Sequence, residues 1–87
     1  MAESLAQRIE ASLAELHPEA LVLEDQSAAH VGHAGAQSGA HFRLEMVSAR
    51  FTGLSRVQRH RLIYERLAPL MKSGIHALTM ELRAPGE

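Results

Sequence analysis

The sequence has no cysteine and no tryptophan, with one tyrosine, two phenylalanines and three prolines among 87 residues. Without Cys there are no disulfides, no thiol catalysis, and no iron–sulfur or zinc site built from the chain's own thiolates. The scarcity of aromatic side chains leaves Leu, Ala, Val, Ile and Met to fill the interior. No apolar run approaches the roughly 20 residues needed to cross a bilayer. No segment joins a charged start to the apolar centre of a secretory signal. These absences predict a cytoplasmic protein with no membrane association. No Ser–His–Asp pattern, Gly-rich phosphate loop or paired-carboxylate site is present at recognisable spacing, so no enzyme activity is expected.

Hydrophobic residues make up 46 % of the chain, which suits a folded globule rather than a disordered segment. The length suits one small domain, residues 1–87, with an ordered core over about 3–83. Six histidines stand out in so short a sequence. The net charge of −1 conceals an asymmetry. Up to residue 40 only Arg8 opposes Glu3, Glu10, Glu15, Glu19, Glu24 and Asp25. From 41 to 72 the bases Arg43, Arg50, Arg56, Arg59, Arg61, Arg66 and Lys72 face only Glu45 and Glu65. A basic half can meet phosphate or an acidic partner, or it can be a set of solvated helix faces.

Leu5, Ile9, Leu13 and Leu16 recur at helical spacing, which predicts an amphipathic helix over 3–16. Ser4 and Gln7 have the spacing of a capping box, and Pro18 ends the helix. Leu21–Asp25 reads as a short strand. Residues 26–40, QSAAHVGHAGAQSGA, have no apolar period and read as a long loop. Phe42–Ser48 alternates, with Phe42, Leu44 and Met46 on one face, as in a half-buried strand.

Thr52–Gly53 is a turn. Ser55, with Gln58 three residues on, is a helix cap. Helical pattern then runs to about Lys72, with a kink or early fraying expected at Pro69, which cannot bond the Glu65 carbonyl. Gly74 is a stop. His76–Arg83 alternates again, placing His76, Leu78, Met80 and Leu82 on one side, and the tail APGE is expected to be loose. This order predicts an α+β fold: a three-stranded mixed sheet with helices packed on one face.

The stretch Phe51–Leu82 carries Phe51–Gly53 as an F-x-G turn, Ser55, Arg59–His60–Arg61 followed by Leu62–Ile63, and Ile75–Leu78 as IHAL. Together these resemble the signature of the BolA family. Upstream, DQSAAHVGHAGA and HFRLEMVS resemble its first strand, variable loop and second strand. The resemblance spans about residues 5–83. It implies the order α-β-β-α-α-β, like a class II KH domain.

It also implies a partner role in iron–sulfur cluster handling. BolA-like proteins pair with monothiol glutaredoxins. The glutaredoxin Cys and glutathione supply thiolates to a shared [2Fe-2S] cluster, and the BolA-like chain supplies the His of its HAL motif and a His or Cys of its loop. In this sequence the first ligand is then His76, and the second is His30 or His33. The cluster is not held by the chain alone, and the chain by itself is a monomer or weak homodimer.

Each histidine also has a plainer role available. His76 on an apolar strand face can be a partly buried residue bonded to backbone. His30 and His33 can be ordinary loop polarity. His41 opens a strand, His60 lies on a helix and His17 precedes Pro18, all consistent with structural positions. A local zinc site from His30, His33 and His41 has no standard spacing. A second functional class rests on Arg56, Arg59 and Arg61. This basic helix after a turn has the character of a DNA contact, and BolA relatives are also described as transcriptional regulators. Against it stand the absence of a GxxG loop between helices, the few aromatics and the near-neutral total charge.

Overall fold

The computed structural model describes residues 4–26 and 40–87. Helix α1 spans Leu5–Leu13 and tightens into a 3-10 turn over Ala14–Leu16. Its start is fixed by the expected capping box: the Ser4 hydroxyl accepts from the Gln7 N–H, and the Gln7 side-chain oxygen accepts from the Ser4 N–H. The helical segment ends at His17, whose φ of 49° lies in the left-handed region, one residue before Pro18.

Strand β1 (Ala20–Asp25) pairs antiparallel with β2 (Ala40–Val47). A 3-10 turn at Ala49–Phe51 and a turn through Gly53 lead to α2 (Arg56–Ser73). This helix carries the chain across to β3 (Ile75–Arg83), which pairs parallel with β2. The sheet order is β1-β2-β3. Every residue of β2 is at least half-buried, as the central strand requires.

Both helices cover the same face of the sheet. Ile9, Leu13 and Leu16 from the first helical segment, and Ile63, Leu67 and Leu70 from α2, enclose Phe42, Leu44 and Met46. Leu21 and Leu23 flank these on one side, and Leu78, Met80 and Leu82 on the other. The alternation in β2 and the 3.6-residue period in the helices thus meet in one core. The opposite face is polar. Glu45 and Glu81 face one another in register, a like-charge pair that is bridged by Arg43 (2.6 Å to Glu45, 3.8 Å to Glu81) and Arg83 (3.8 Å to each).

Three expectations need correction. Two helical segments, the 3-10 turn and α2, lie between β2 and β3, but the expected kink or fraying at Pro69 is absent. Instead α2 runs unbroken to Ser73 with Pro69 inside it. Buried Leu67 and Leu70 clamp both sides of the proline to the core, and Glu65, whose carbonyl loses a partner, lies on the exposed side.

The tail APGE is not loose. Ala84 is buried, and the Glu87 N–H donates to the Ala84 carbonyl at 3.2 Å. Gly86 at φ 88° follows Pro85, the arrangement of a type II turn. The third correction concerns His76, whose side chain does not share the face of Leu78, Met80 and Leu82.

Gly74 does cap α2, its N–H donating to Leu70. A Cβ at this position would lie 3.2 Å from Leu5 Cδ2, so glycine here lets α1 approach the end of α2.

Candidate functional site: the histidine end of the sheet

In the β2–β3 ladder Ala40 stands opposite Ile75, but His41 stands opposite Ala77. His76 is the extra residue of a bulge. Ile75 before it is buried and Leu78 after it faces the core, so the bulge absorbs the change of parity. His76 is left exposed, and its ring stacks on that of His41 with centroids 5.2 Å apart and planes 25° apart.

The backbone around this pair is tied at each corner. The Ala40 N–H donates to the Gly74 carbonyl at 2.7 Å, fixing the start of β2 to the end of α2. The Gln26 N–H donates to the His41 carbonyl at 2.7 Å, fixing the end of β1. Both described ends of the segment that contains His30 and His33 therefore sit beside the His41–His76 pair. His30 and His33 themselves lie outside the described residues.

Iron and other transition metals accept imidazole, and an exposed ring on a tied backbone can ligate with little rearrangement. Among the described residues no group of three or more His, Cys, Asp or Glu is placed to hold a metal. His76 and His41 thus offer two nitrogen donors at most, short of a complete set. The sequence marks His41 only as the opening residue of a strand; its closeness to His76 depends on a register that no local motif encodes.

The basic residues divide differently. Arg56 and Arg59 line a groove of about 580 Å³ with Leu54, His60, Leu82 and Arg83, at the opposite end of β3. Arg61 is exposed but does not line it. Arg59 is only 12 % exposed at its side chain. Its Nε donates to the Leu54 carbonyl at 3.0 Å and its Nη1 to the Leu82 carbonyl at 3.1 Å. Nη1 and Nη2 also reach Glu87 Oε1 and Oε2 at 2.6 and 2.7 Å. This pairing and the Ala84 N–H hold the Glu87 carboxyl at about 2, well below its ordinary 4.5. No helix among the described residues is long and apolar enough to cross a membrane.

Comparison with known proteins agrees with this architecture. The BolA-like protein family matches residues 13–87. An uncharacterized Sinorhizobium protein encoded 5′ to cobS is 44 % identical over 97 % of this chain and 95 % of its own length. Protein BOLA1, chloroplastic, of Arabidopsis thaliana is 42 % identical over 84 % of this chain, which spans about half of it (48 %). The DNA-binding transcriptional regulator BolA of Haemophilus influenzae is 38 % identical, over 84 % of this chain and 69 % of that protein. Among solved structures, BolA1 of A. thaliana superposes with a TM-score of 0.84 at 37 % identity, covering 99 % of this chain and 98 % of that one. The BolA domain of A. thaliana SufE1 gives 0.83 at 44 % identity, covering 98 % and 96 %.

Proposed function

The chain belongs to the BolA family, and from that premise we propose that it is a non-enzymatic partner of a monothiol glutaredoxin, lending histidine to a shared [2Fe-2S] cluster. The observation that carries this reading is the bulge at His76. It turns an imidazole away from the core face that Leu78, Met80 and Leu82 share and leaves it exposed on a tied backbone.

The donor set fits a shared centre. A [2Fe-2S] iron accepts imidazole in place of thiolate, and a chain without cysteine offers none of the thiolates. The partner's Cys and its glutathione supply those. When bound, such a cluster provides a one-electron redox centre with exchangeable ligand positions. This chain's part is to present His76 Nδ1 or Nε2, to orient the ring against His41, and to supply His30 or His33 as the second ligand. Free partner thiolates require a reducing compartment, and the cytoplasm meets that need.

The test mixes this protein with a monothiol glutaredoxin carrying a cluster and glutathione, and records visible absorption and circular dichroism. Wild type changes the spectrum; His76→Ala does not, while His30→Ala and His33→Ala identify the second ligand. Unchanged spectra with wild type would overturn the reading.

A second reading is favoured by one observation, the name of the Haemophilus relative as a DNA-binding regulator. It assigns DNA contact to the basic α2 helix through Arg56 and Arg61, because Arg59 already holds Glu87. DNA binding that falls steeply with salt and survives His76→Ala supports it. Glutaredoxin binding that needs His76 supports the first.

A further inference from the structure

The groove at the far end of β3 is separate from the histidine pair. Five residues of strand lie between His76 and Leu82, about 20 Å of rise over the six steps, so a role for the groove does not rest on the cluster reading. At its centre is the Arg59 fork. The Leu54 and Leu82 carbonyls fix the guanidinium through Nε and Nη1, and its Nη1–Nη2 edge has the spacing of a carboxylate. Glu87 fills that edge with two parallel hydrogen bonds, the geometry in which arginine recognises a carboxylate best.

We propose that Arg59 is a carboxylate-recognition site, filled in cis by Glu87 and taken over in trans by an acidic side chain of a protein partner.

The orienting contacts to backbone persist whichever carboxylate occupies the fork. The occupant is accessible to a competitor: the Glu87 side chain is 43 % exposed and is carried on the short Ala84–Glu87 turn. Arg56, His60 and Arg83 around the fork favour a negative ligand. Glu81 in the same lining opposes a polyanion with charge at every few ångströms. Half-buried Leu54, Met80 and Leu82 offer apolar contact beside the fork. An acidic residue flanked by apolar ones in an extended peptide fits this mixture; a nucleic-acid backbone does not.

The experiment uses the full chain, 15N-labelled, and follows the Arg59 Nε–Hε resonance and the amides of Leu82 and Arg83 by NMR. The probes are a capped peptide of alternating Leu and Glu, its Leu–Gln counterpart, and inorganic phosphate. Glu87→Gln, an exposed change that keeps the fold, binds the Leu–Glu peptide about fivefold more tightly than wild type, the scale of one exposed ion pair. The Leu–Gln peptide leaves the Arg59 resonance in place, and adding Arg59→Lys to Glu87→Gln reverses the gain. Equal affinity of wild type and Glu87→Gln overturns the proposal. So does equal binding of the Leu–Gln peptide, which makes the groove merely apolar, or an equal phosphate response, which makes it a phosphate site.

Discussion

The rings of His41 and His76 stack with their centroids 5.2 Å apart, although one lies near the start of the central strand and the other near the start of an edge strand. The contact exists because β3 carries one residue more than β2 at that point. If the register of the rest of the ladder, Phe42 opposite Leu78, ran on unbulged to the start of β3, His76 would share the core face with Leu78 and no pair would form. The extra residue serves presentation of a side chain rather than packing.

Removing either ring is therefore expected to leave the fold standing. His76→Ala, at an exposed position, changes the unfolding free energy by no more than about 0.5 kcal/mol. His41→Ala, at a half-buried one, costs about 1 kcal/mol, because it gives up packed surface besides the ring contact. Urea unfolding followed by far-UV circular dichroism checks both.

Ser48 is the buried polar side chain of the described core. Its hydroxyl donates to the Leu16 carbonyl at 2.7 Å and accepts from the Arg50 N–H at 3.1 Å, joining the end of the first helical segment to the turn after β2. Ser48→Ala leaves a buried carbonyl short of a donor, for a loss of about 1–3 kcal/mol. The same unfolding measurement reads it, with an unchanged denaturant slope.

Gly53 sits at φ 81°, and a Cβ there would meet nothing within 4 Å. The cost of Gly53→Ala is thus one of backbone conformation alone, about 1 kcal/mol. Gly53→Asn costs less, because asparagine tolerates the left-handed region. Comparing the two variants by thermal unfolding separates conformation from crowding, since the bulkier side chain is the better tolerated.

The Arg59–Glu87 pair sets an acid dependence. The Glu87 carboxyl titrates at about 2 when folded and at its ordinary 4.5 when unfolded. A depressed folded value means the contribution is fully present above about 4.5 and fades as pH falls toward about 2. Glu87→Gln accordingly flattens the stability profile over that window and leaves its slope near neutrality unchanged. Unfolding curves at stepped pH values measure it.

Local chemistry made much of the fold legible. Ser4–Gln7 and Ser55–Gln58 announced both helix starts, and Phe42, Leu44 and Met46 announced the buried face of β2. What stayed hidden depends on register or distant partners. The parity of His76 was misjudged because a bulge leaves no mark in an alternating strand. Pro69 was expected to bend α2, whose continuity comes from Leu67 and Leu70 in the core. The tail had a signal in Ala84-Pro85-Gly86-Glu87, a type II turn sequence, but the partner that holds it, Arg59, lies on another element. At the site, His76 is exposed, and His41 joins it only through the ladder.

The most direct measurement is pulsed electron paramagnetic resonance on the reduced complex of this protein with a cluster-loaded monothiol glutaredoxin, the histidines of this chain alone labelled with 15N. An imidazole bound to iron gives a 15N hyperfine coupling, which the account predicts in wild type and reduced in His76→Ala by the loss of one of this chain's nitrogen ligands. A cluster in that complex with no coupling to this chain's nitrogen, or one unaltered by His76→Ala, would contradict it.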